Sequence, residues 1–111
     1  NNPYVSIPVG GSVIDGSMTA ILDHIKSVFD RKETDYRIIV TPAYGYKYPS
    51  ISEDDLHILQ AVFGEENVYD FSAREDITLD WKNFSDPNHF GLNIGWQMLE
   101  EVYHGRESVN E

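Results

Sequence analysis

The spacing of apolar residues along the chain alternates between two periods, and this alternation limits the folds that the chain can adopt. Short β-branched or apolar runs indicate strands at residues 4–9, 37–41 and 67–72, and stripes with helical spacing lie between them. Strands that alternate with helices at these intervals form a parallel sheet with right-handed crossovers. The sequence therefore predicts an α/β fold: a small, mainly parallel sheet of about three strands flanked by helices.

Three helices are predicted from apolar spacing and from residues typical of helix ends. The first begins near Ser17, with Asp15 or Ser17 as its N-cap. The second opens at Ser52, where Asp55 takes the place of the usual capping-box glutamate. The third covers about residues 92–103 and precedes a glycine that can end it.

The 111 residues suffice for one small domain, and 41% of them are hydrophobic, which is enough to form a core. Residues 1–105 are predicted to form a single α/β domain that is part of a larger one, and residues 106–111 a solvated tail. A parallel sheet of three strands leaves strand edges and a sheet face uncovered. We therefore expect a homodimer, or association with further sequence.

The charge balance excludes several classes of partner. Eight Lys and Arg face 19 Asp and Glu, a formal net charge of -11, which argues against binding to nucleic acid or an anionic membrane surface. No apolar run approaches the ~20 residues of a membrane span. The chain has no cysteine, which excludes disulfides, thiolate metal sites and a cysteine nucleophile but leaves the compartment open. No His, Asp or Glu spacing is typical of a metal site, so neither a metal nor another cofactor is expected.

The long polar segment before the last helix contains the most specific candidate for chemistry, Asp86 and His89. An Asp three residues before a His can accept a hydrogen bond from Nδ1–H, which leaves Nε2 as an acceptor for a serine hydroxyl. We therefore predict that the two side chains are hydrogen-bonded, on the same side as the loop after Pro42. The alternative is that Asp86 caps a turn and His89 simply starts a helix.

Three tyrosines alternate in the loop after Pro42, at the carboxyl end of a predicted strand. Ligands of open α/β sheets bind beyond these strand ends. Tyr44 and Tyr46 are therefore candidates for binding a sugar ring or an acyl chain of a substrate. The alternative is that the rings pack over the sheet edge or against a partner.

The order of these features resembles the carboxyl end of the SGNH (GDSL-type) hydrolases, in particular a bacterial branch associated with modification of cell-surface polysaccharides and acyl groups. The matching segments are residues 36–42 (YRIIVTP), 62–64 (VFG), 67–72 (NVYDFS), 83–90 (NFSDPNHF) and 93–95 (NIG). The resemblance covers roughly residues 17–104, and its specific motif is Asp-x-x-His. It implies a flavodoxin-like fold and a bacterial protein located outside the cytoplasm or at the cell surface.

The resemblance also implies a function and roles for two residues. Asp86 matches the orienting acid and His89 the general base of a Ser-His-Asp triad. The implied activity is ester hydrolysis or acyl transfer on an acylated carbohydrate or other ester substrate, without a cofactor.

The chain departs from the family at its nucleophile, since it contains neither Gly-Asp-Ser nor the family's Gly-x-Asn-Asp block. Ser12 follows two glycines, but too few residues separate it from His89 to hold the intervening blocks. We therefore interpret Ser12 as a turn serine and expect the nucleophile on sequence outside this chain. The alternative function is a non-catalytic α/β module for binding or assembly.

Overall fold

A computed structural model of the chain describes residues 11–45 and 50–110, with the backbone alone for residues 106–110. Within these ranges the helices are α1 (Gly16–Arg31), α2 (Glu53–Phe63), α3 (Glu75–Thr78) and α4 (Leu92–Asn110). The strands are β1 (Ile38–Val40), β2 (Val68–Asp70), β3 (Phe84–Asp86) and β4 (His89–Phe90). The strand predicted at residues 4–9 lies outside the described residues.

Two sheets are present in the described part of the chain. β1 and β2 pair in parallel, with Ile39 opposite Tyr69, and α2 forms the crossover between them. β3 and β4 form an antiparallel hairpin inside the segment that the sequence left without a strand. The α/β class is confirmed. In the described residues, however, the parallel sheet has two strands rather than about three, and the second sheet is antiparallel.

The buried core lies between the parallel sheet and α4. Its fully enclosed members come from the loop after β2, from α3 and from one face of α4, and Ile39 and Tyr69 of the sheet pack against them. The buried residues of this cluster are Phe71, Ile77, Ile94, Met98 and Val102. The i, i+4, i+8 spacing of the three α4 residues places them on a single stripe, so this face of the helix is fixed against the sheet.

A cluster of aromatic rings joins α1, the start of β1 and the end of α2. The ring of Phe29 stacks on that of Tyr36 with centroids 4.6 Å apart, and the Tyr36 ring meets Phe63 edge-on at 5.8 Å. The Tyr36 hydroxyl also donates to the Phe63 carbonyl oxygen, at 2.8 Å. Paired aromatic geometry of this kind contributes beyond simple burial of area, so it fixes the end of α1 against α2.

Asp15 is the N-cap of α1, as predicted, and its Oδ1 accepts from the Met18 backbone N–H at 2.9 Å. The apolar stripe of α1 is only partly covered, because Met18, Ile21 and Ile25 are exposed and no residue of this helix is fully buried. The apolar spacing therefore predicts the helix correctly, but it does not predict that the apolar face of the helix stays partly exposed.

The start of α2 shows how Asp55 departs from its predicted capping-box role. Ser52 Oγ accepts from the Asp55 backbone N–H at 3.1 Å, as in a capping box. The Asp55 carboxylate also reaches beyond its own helix, since it accepts from the backbone N–H groups of Val13 at 3.0 Å and Ile14 at 3.1 Å. Asp55 is only 2% exposed. This buried carboxylate therefore ties the segment before α1 to the start of α2.

The last helix is longer than predicted. α4 continues through Asn110, so the prediction that the helix ends at Gly105 is wrong. A positive φ angle, which is typical of a glycine at a helix end, occurs at Gly64 after α2, where φ is +95°. Gly105 instead stays in helical geometry. A glycine inside a helix costs only about 1 kcal/mol relative to alanine and does not by itself end the helix.

Candidate functional site

The site is built on the β3–β4 hairpin, whose two strands are joined by Pro87 and Asn88. Across this turn Asp86 lies opposite His89. Asp86 Oδ1 accepts from the Asn88 backbone N–H at 2.9 Å, which is the local bond that aspartate makes in a tight turn. The four-residue sequence therefore closes the hairpin and brings the carboxylate and the imidazole to one side of it.

His89 Nδ1 lies 2.7 Å from Oδ1 and 2.8 Å from Oδ2 of Asp86. The predicted hydrogen bond between the two side chains is thus confirmed. The alternative interpretation holds in one respect, since Asp86 does cap a turn. It is wrong in the other, because His89 lies in β4 and the helix begins three residues later, at Leu92.

The electrostatics of this pair favour a fixed proton position on the imidazole. The hydrogen bond from His89, followed by that from the Asn88 backbone, holds the pKa of Asp86 below its usual value of 3.8. An ionised carboxylate at Nδ1 stabilises the proton there and makes Nε2 the acceptor nitrogen of the neutral ring. The His89 side chain is 74% exposed, so a second group can reach it.

The loop after β1 is joined to the hairpin segment through the main chain. Tyr44 N donates to the Pro87 carbonyl oxygen at 3.0 Å, and Gly45 N donates to that of Thr78 at 2.9 Å. Gly45 has φ +93°, a conformation that a residue with a side chain rarely adopts. The described part of the loop after Pro42, through Gly45, therefore lies against the hairpin that carries the Asp–His pair.

An open cavity of about 430 Å³ lies between this loop and the hairpin. Its wall consists mainly of aromatic rings with a few polar groups, and its lining residues are Tyr44, Trp81, Phe84, Ser85, Asp86 and Pro87. The rings of Tyr44 and Phe84 are 5.8 Å apart between centroids, inclined at 54°. Asp86 is shared by the cavity and the Asp–His pair, so a molecule bound in the cavity lies beside the carboxylate that holds the imidazole.

Tyr44, a predicted substrate-binding residue, lines the cavity, and so does Trp81, which the sequence patterns did not indicate. The indole of Trp81 is 43% exposed and lies on a short 3₁₀ turn, Trp81–Asn83, just before β3. The available signal was a large aromatic residue in a polar segment with no apolar stripe for it to join. Tyr46, the second predicted substrate-binding residue, lies outside the described residues.

Ser12 precedes α1 in the chain, and its side chain lies beside the start of α2. Its hydroxyl is 3.4 Å from both Ser52 Oγ and Asp54 Oδ2, and the residue is exposed. Ser12 itself lies in irregular backbone before α1, and both contacts join it to residues some 40 positions later in the chain.

Two further observations concern the described residues as a whole. Across residues 11–45 and 50–110, no group of three or more His, Asp or Glu side chains is arranged to hold a metal ion. In the same ranges no helix combines the length and the apolar character needed to cross a membrane.

Fold and site together define an α/β chain with an exposed, hydrogen-bonded Asp–His pair beside an aromatic cavity. Comparisons of the chain with protein-family models, with curated proteins and with solved structures find no match. The functional conclusion therefore depends on the residues and their geometry.

Proposed function

We propose that this chain is the carboxyl-terminal part of an SGNH-type ester hydrolase or acyltransferase that acts on an acylated carbohydrate. Asp86 and His89 are its orienting acid and general base, and the serine nucleophile belongs to sequence outside this chain. The observation that carries the proposal is the hydrogen bond from His89 Nδ1 to the Asp86 carboxylate on an exposed hairpin, 2.7 Å long, beside the cavity.

The proposed chemistry uses the two ring nitrogens of His89 for different tasks. With its proton held on Nδ1 by Asp86, the neutral ring accepts the serine proton at Nε2 as the serine oxygen attacks the ester carbonyl. The same nitrogen then gives the proton to the departing alcohol. In the second half of the reaction, His89 deprotonates either water or a sugar hydroxyl, which attacks the acyl carbonyl, and then returns that proton to the serine oxygen as the acyl–serine bond breaks.

The exposure of the pair supports this role over a purely structural one. A histidine that serves the fold is usually enclosed by it, whereas the His89 ring extends into solvent and packs into no part of the core. The pair is held rigidly nonetheless, because a two-residue turn and two carboxylate oxygens fix the ring. An exposed yet oriented imidazole suits general base catalysis.

The decisive experiment measures ester hydrolysis by the whole natural protein that contains this chain, with 4-nitrophenyl acetate as substrate. We expect His89→Ala to lower kcat by several orders of magnitude, with an almost unchanged melting temperature. His57→Ala is the matched control, since His57 is another exposed histidine, located on α2; we expect wild-type activity from it. Equal activity in the two variants would contradict the proposal.

The chain by itself provides a second test. Because it has no family nucleophile block, we expect turnover of the same ester near background, since without a nucleophile and oxyanion donors the Asp–His pair has nothing to activate. Clear turnover that Ser12→Ala abolishes would instead identify Ser12 as the nucleophile.

A second candidate function, a non-catalytic module for binding or assembly, is favoured by one observation. α4 presents a second apolar stripe, away from the core, at Leu92, Trp96, Leu99 and Tyr103, all of them exposed. Exposed apolar patches often mark interaction surfaces. Under this alternative, His89→Ala leaves the function intact, whereas a charge placed in the α4 stripe impairs it.

A further inference from the structure

We propose that the cavity beside the Asp–His pair is a subsite for a neutral pyranose ring, with Trp81 as the surface on which the ring stacks. This inference deepens the function proposed above and rests on it in one respect, namely that the cavity adjoins a pair that acts on an esterified sugar. It specifies which part of the substrate the cavity holds and which residue selects it.

The composition of the wall distinguishes a sugar ring from an acyl chain. Of the six lining residues that the structure describes, three are aromatic, namely Tyr44, Trp81 and Phe84, and none is Leu, Ile, Val or Met. An acyl chain is best buried among aliphatic side chains in an enclosed channel, because its binding depends on apolar area removed from water. A pyranose instead presents a face of polarised C–H bonds that fits the electron-rich face of an indole, while its hydroxyls stay hydrated.

The size and polarity of the cavity agree with this occupant. Its volume of about 430 Å³ lies in the usual range for small-molecule sites. Ser85 and Asp86 supply hydroxyl and carboxylate groups at its edge. Such a combination of aromatic walls and a few polar groups can stack a ring and accept hydrogen bonds from its hydroxyls.

Charge argues that the sugar is neutral rather than anionic. Among the described residues no Lys or Arg lines the cavity, whereas Asp86 brings a carboxylate to it, and the hydrogen bond from His89 holds the pKa of that carboxyl below its usual value. The whole chain carries a formal charge of -11. A uronic acid or a phosphorylated sugar would bring a second negative charge beside Asp86, and the described wall offers no Lys or Arg to pair with it.

The backbone holds Trp81 in place while its side chain stays accessible. Asp80 Oδ1 accepts from the Lys82 backbone N–H at 3.1 Å, and Asn83 Nδ2 donates to the Ile77 carbonyl oxygen at 3.1 Å. The Asn83 carbonyl oxygen in turn accepts from Gly91 N at 2.7 Å. The turn that carries the indole is thus fixed to both α3 and the segment after β4, which lowers the ordering cost of binding.

The chain has two tryptophans, Trp81 and Trp96, and this permits a direct test. Trp96 lies on α4 and is likewise exposed, so it is a matched control. The chain is titrated with cellotriose, chitotriose, maltotriose, glucuronic acid and methyl hexanoate, while the two indole N–H signals are followed by NMR. We expect at least one neutral trisaccharide to shift the Trp81 signal selectively, and glucuronic acid and methyl hexanoate to leave it unchanged.

Variants then assign the affinity to Trp81. We expect Trp81→Ala to weaken binding of that trisaccharide at least tenfold, Trp81→Phe to weaken it less, and Trp96→Phe to leave it unchanged. Circular dichroism confirms that each variant is folded, and the wild-type NMR titration stands even if Trp81→Ala does not fold. The inference is overturned if no neutral trisaccharide shifts the Trp81 signal, if methyl hexanoate shifts it instead, or if a folded Trp81→Ala binds as tightly as wild type.

The result of the trisaccharide titration can be distinguished from the result of the experiment that tests the proposed function. Binding to the Trp81 subsite requires no nucleophile, so it is measured on this chain alone, whereas the proposed function is tested by the activity of His89→Ala. Trisaccharide binding at Trp81 with full activity in His89→Ala would retain the subsite and reject the catalytic pair. Loss of activity in His89→Ala without trisaccharide binding at Trp81 would retain the catalytic pair and reject the subsite.

Discussion

Asp86 Oδ1 accepts hydrogen bonds both from His89 Nδ1, at 2.7 Å, and from the Asn88 backbone N–H, at 2.9 Å. One carboxylate oxygen therefore shapes the turn and orients the imidazole. The consequence is that the histidine cannot be correctly presented unless the hairpin is closed, and the two properties are expected to change together when Asp86 is replaced.

Replacing Asp86 is expected to change the position of the proton on His89. With Asp86 as acceptor, neutral His89 carries its proton on Nδ1, and in Asp86→Ala the ring shifts toward the Nε2–H form that free histidine prefers. Long-range ¹H–¹⁵N NMR of the chain distinguishes the two tautomers. His57 is an internal control whose spectrum stays unchanged, and an identical His89 spectrum in wild type and variant would contradict the orienting role.

A second prediction concerns the buried carboxylate of Asp55, which accepts from the backbone of Val13 and Ile14. Asp55→Asn removes the negative charge from two charge-assisted hydrogen bonds and places an amide –NH₂ group against backbone donors. We expect the melting temperature, followed by circular dichroism, to fall by several degrees. Asp54→Asn, at the exposed neighbouring position, is expected to leave it nearly unchanged; equal effects would show that the Asp55 contacts do not stabilise the fold.

Acid is expected to destabilise the fold by protonating three carboxylates: Asp55, Asp76 and Glu101. Hydrogen bonds from the Val13 and Ile14 backbone lower the pKa of Asp55, and those from Arg74 lower the pKa values of Asp76 and Glu101. A carboxyl whose pKa is lower in the folded state stabilises that state fully above its unfolded value, about 4, and loses this contribution as the pH falls through the folded value. Urea midpoints should therefore be steady from about pH 7 to 5 and decline below about pH 4, with a shallower decline in Asp55→Asn. Parallel declines in variant and wild type would count against Asp55 as a source of the acid sensitivity.

The two faces of α4 are expected to differ sharply in their contribution to stability. Met98 is 3% exposed in the core, whereas Leu92 on the same helix is 79% exposed. Met98→Ala should lower the free energy of unfolding by about 2–5 kcal/mol, because it removes buried apolar volume and leaves a cavity. Leu92→Ala should change it by less than about 0.5 kcal/mol. Urea denaturation measures both, and comparable losses would mean that α4 packs with a different face toward the sheet.

Self-association is the last prediction, and it follows from the exposed stripe at Leu92, Trp96, Leu99 and Tyr103. Burial of apolar area is worth ~25 cal/mol per Å², while repulsion from the charge of -11 is screened beyond ~8 Å at physiological salt. We expect a dimer by light scattering at tens of micromolar, more populated at high salt. Leu99→Glu should shift it to monomer, and Ile21→Glu, on the exposed side of α1, serves as the control. A monomer at both low and high salt would contradict the prediction.

The individual contacts that the sequence predicted correctly are local ones. The Asp15 cap, the capping start at Ser52 and the Asp86–His89 hydrogen bond each involve residues no more than three positions apart. At such distances chain geometry leaves few alternatives, so residue types and spacing are sufficient to predict the contact.

The features that the sequence did not predict depend on distant partners or on strands too short to show an alternation of apolar and polar residues. Asp55 bonds residues more than 40 positions earlier, which no local pattern indicates. β3 and β4 have three residues and two residues, too few for an alternation to be recognised. Gly105 fits a helix end by composition, yet the chain around it continues as helix.

The loop after β1 and the hairpin are joined by backbone groups, through Tyr44 N with the Pro87 carbonyl and Gly45 N with the Thr78 carbonyl. Neither bond requires a particular side chain at position 44, and Trp81 and Phe84 contribute to neither. The side chains facing the cavity can therefore be exchanged during evolution without displacing Asp86 and His89. Lineages that share this scaffold would be free to diverge in the molecules that the cavity accepts while keeping the Asp86–His89 pair in the same place.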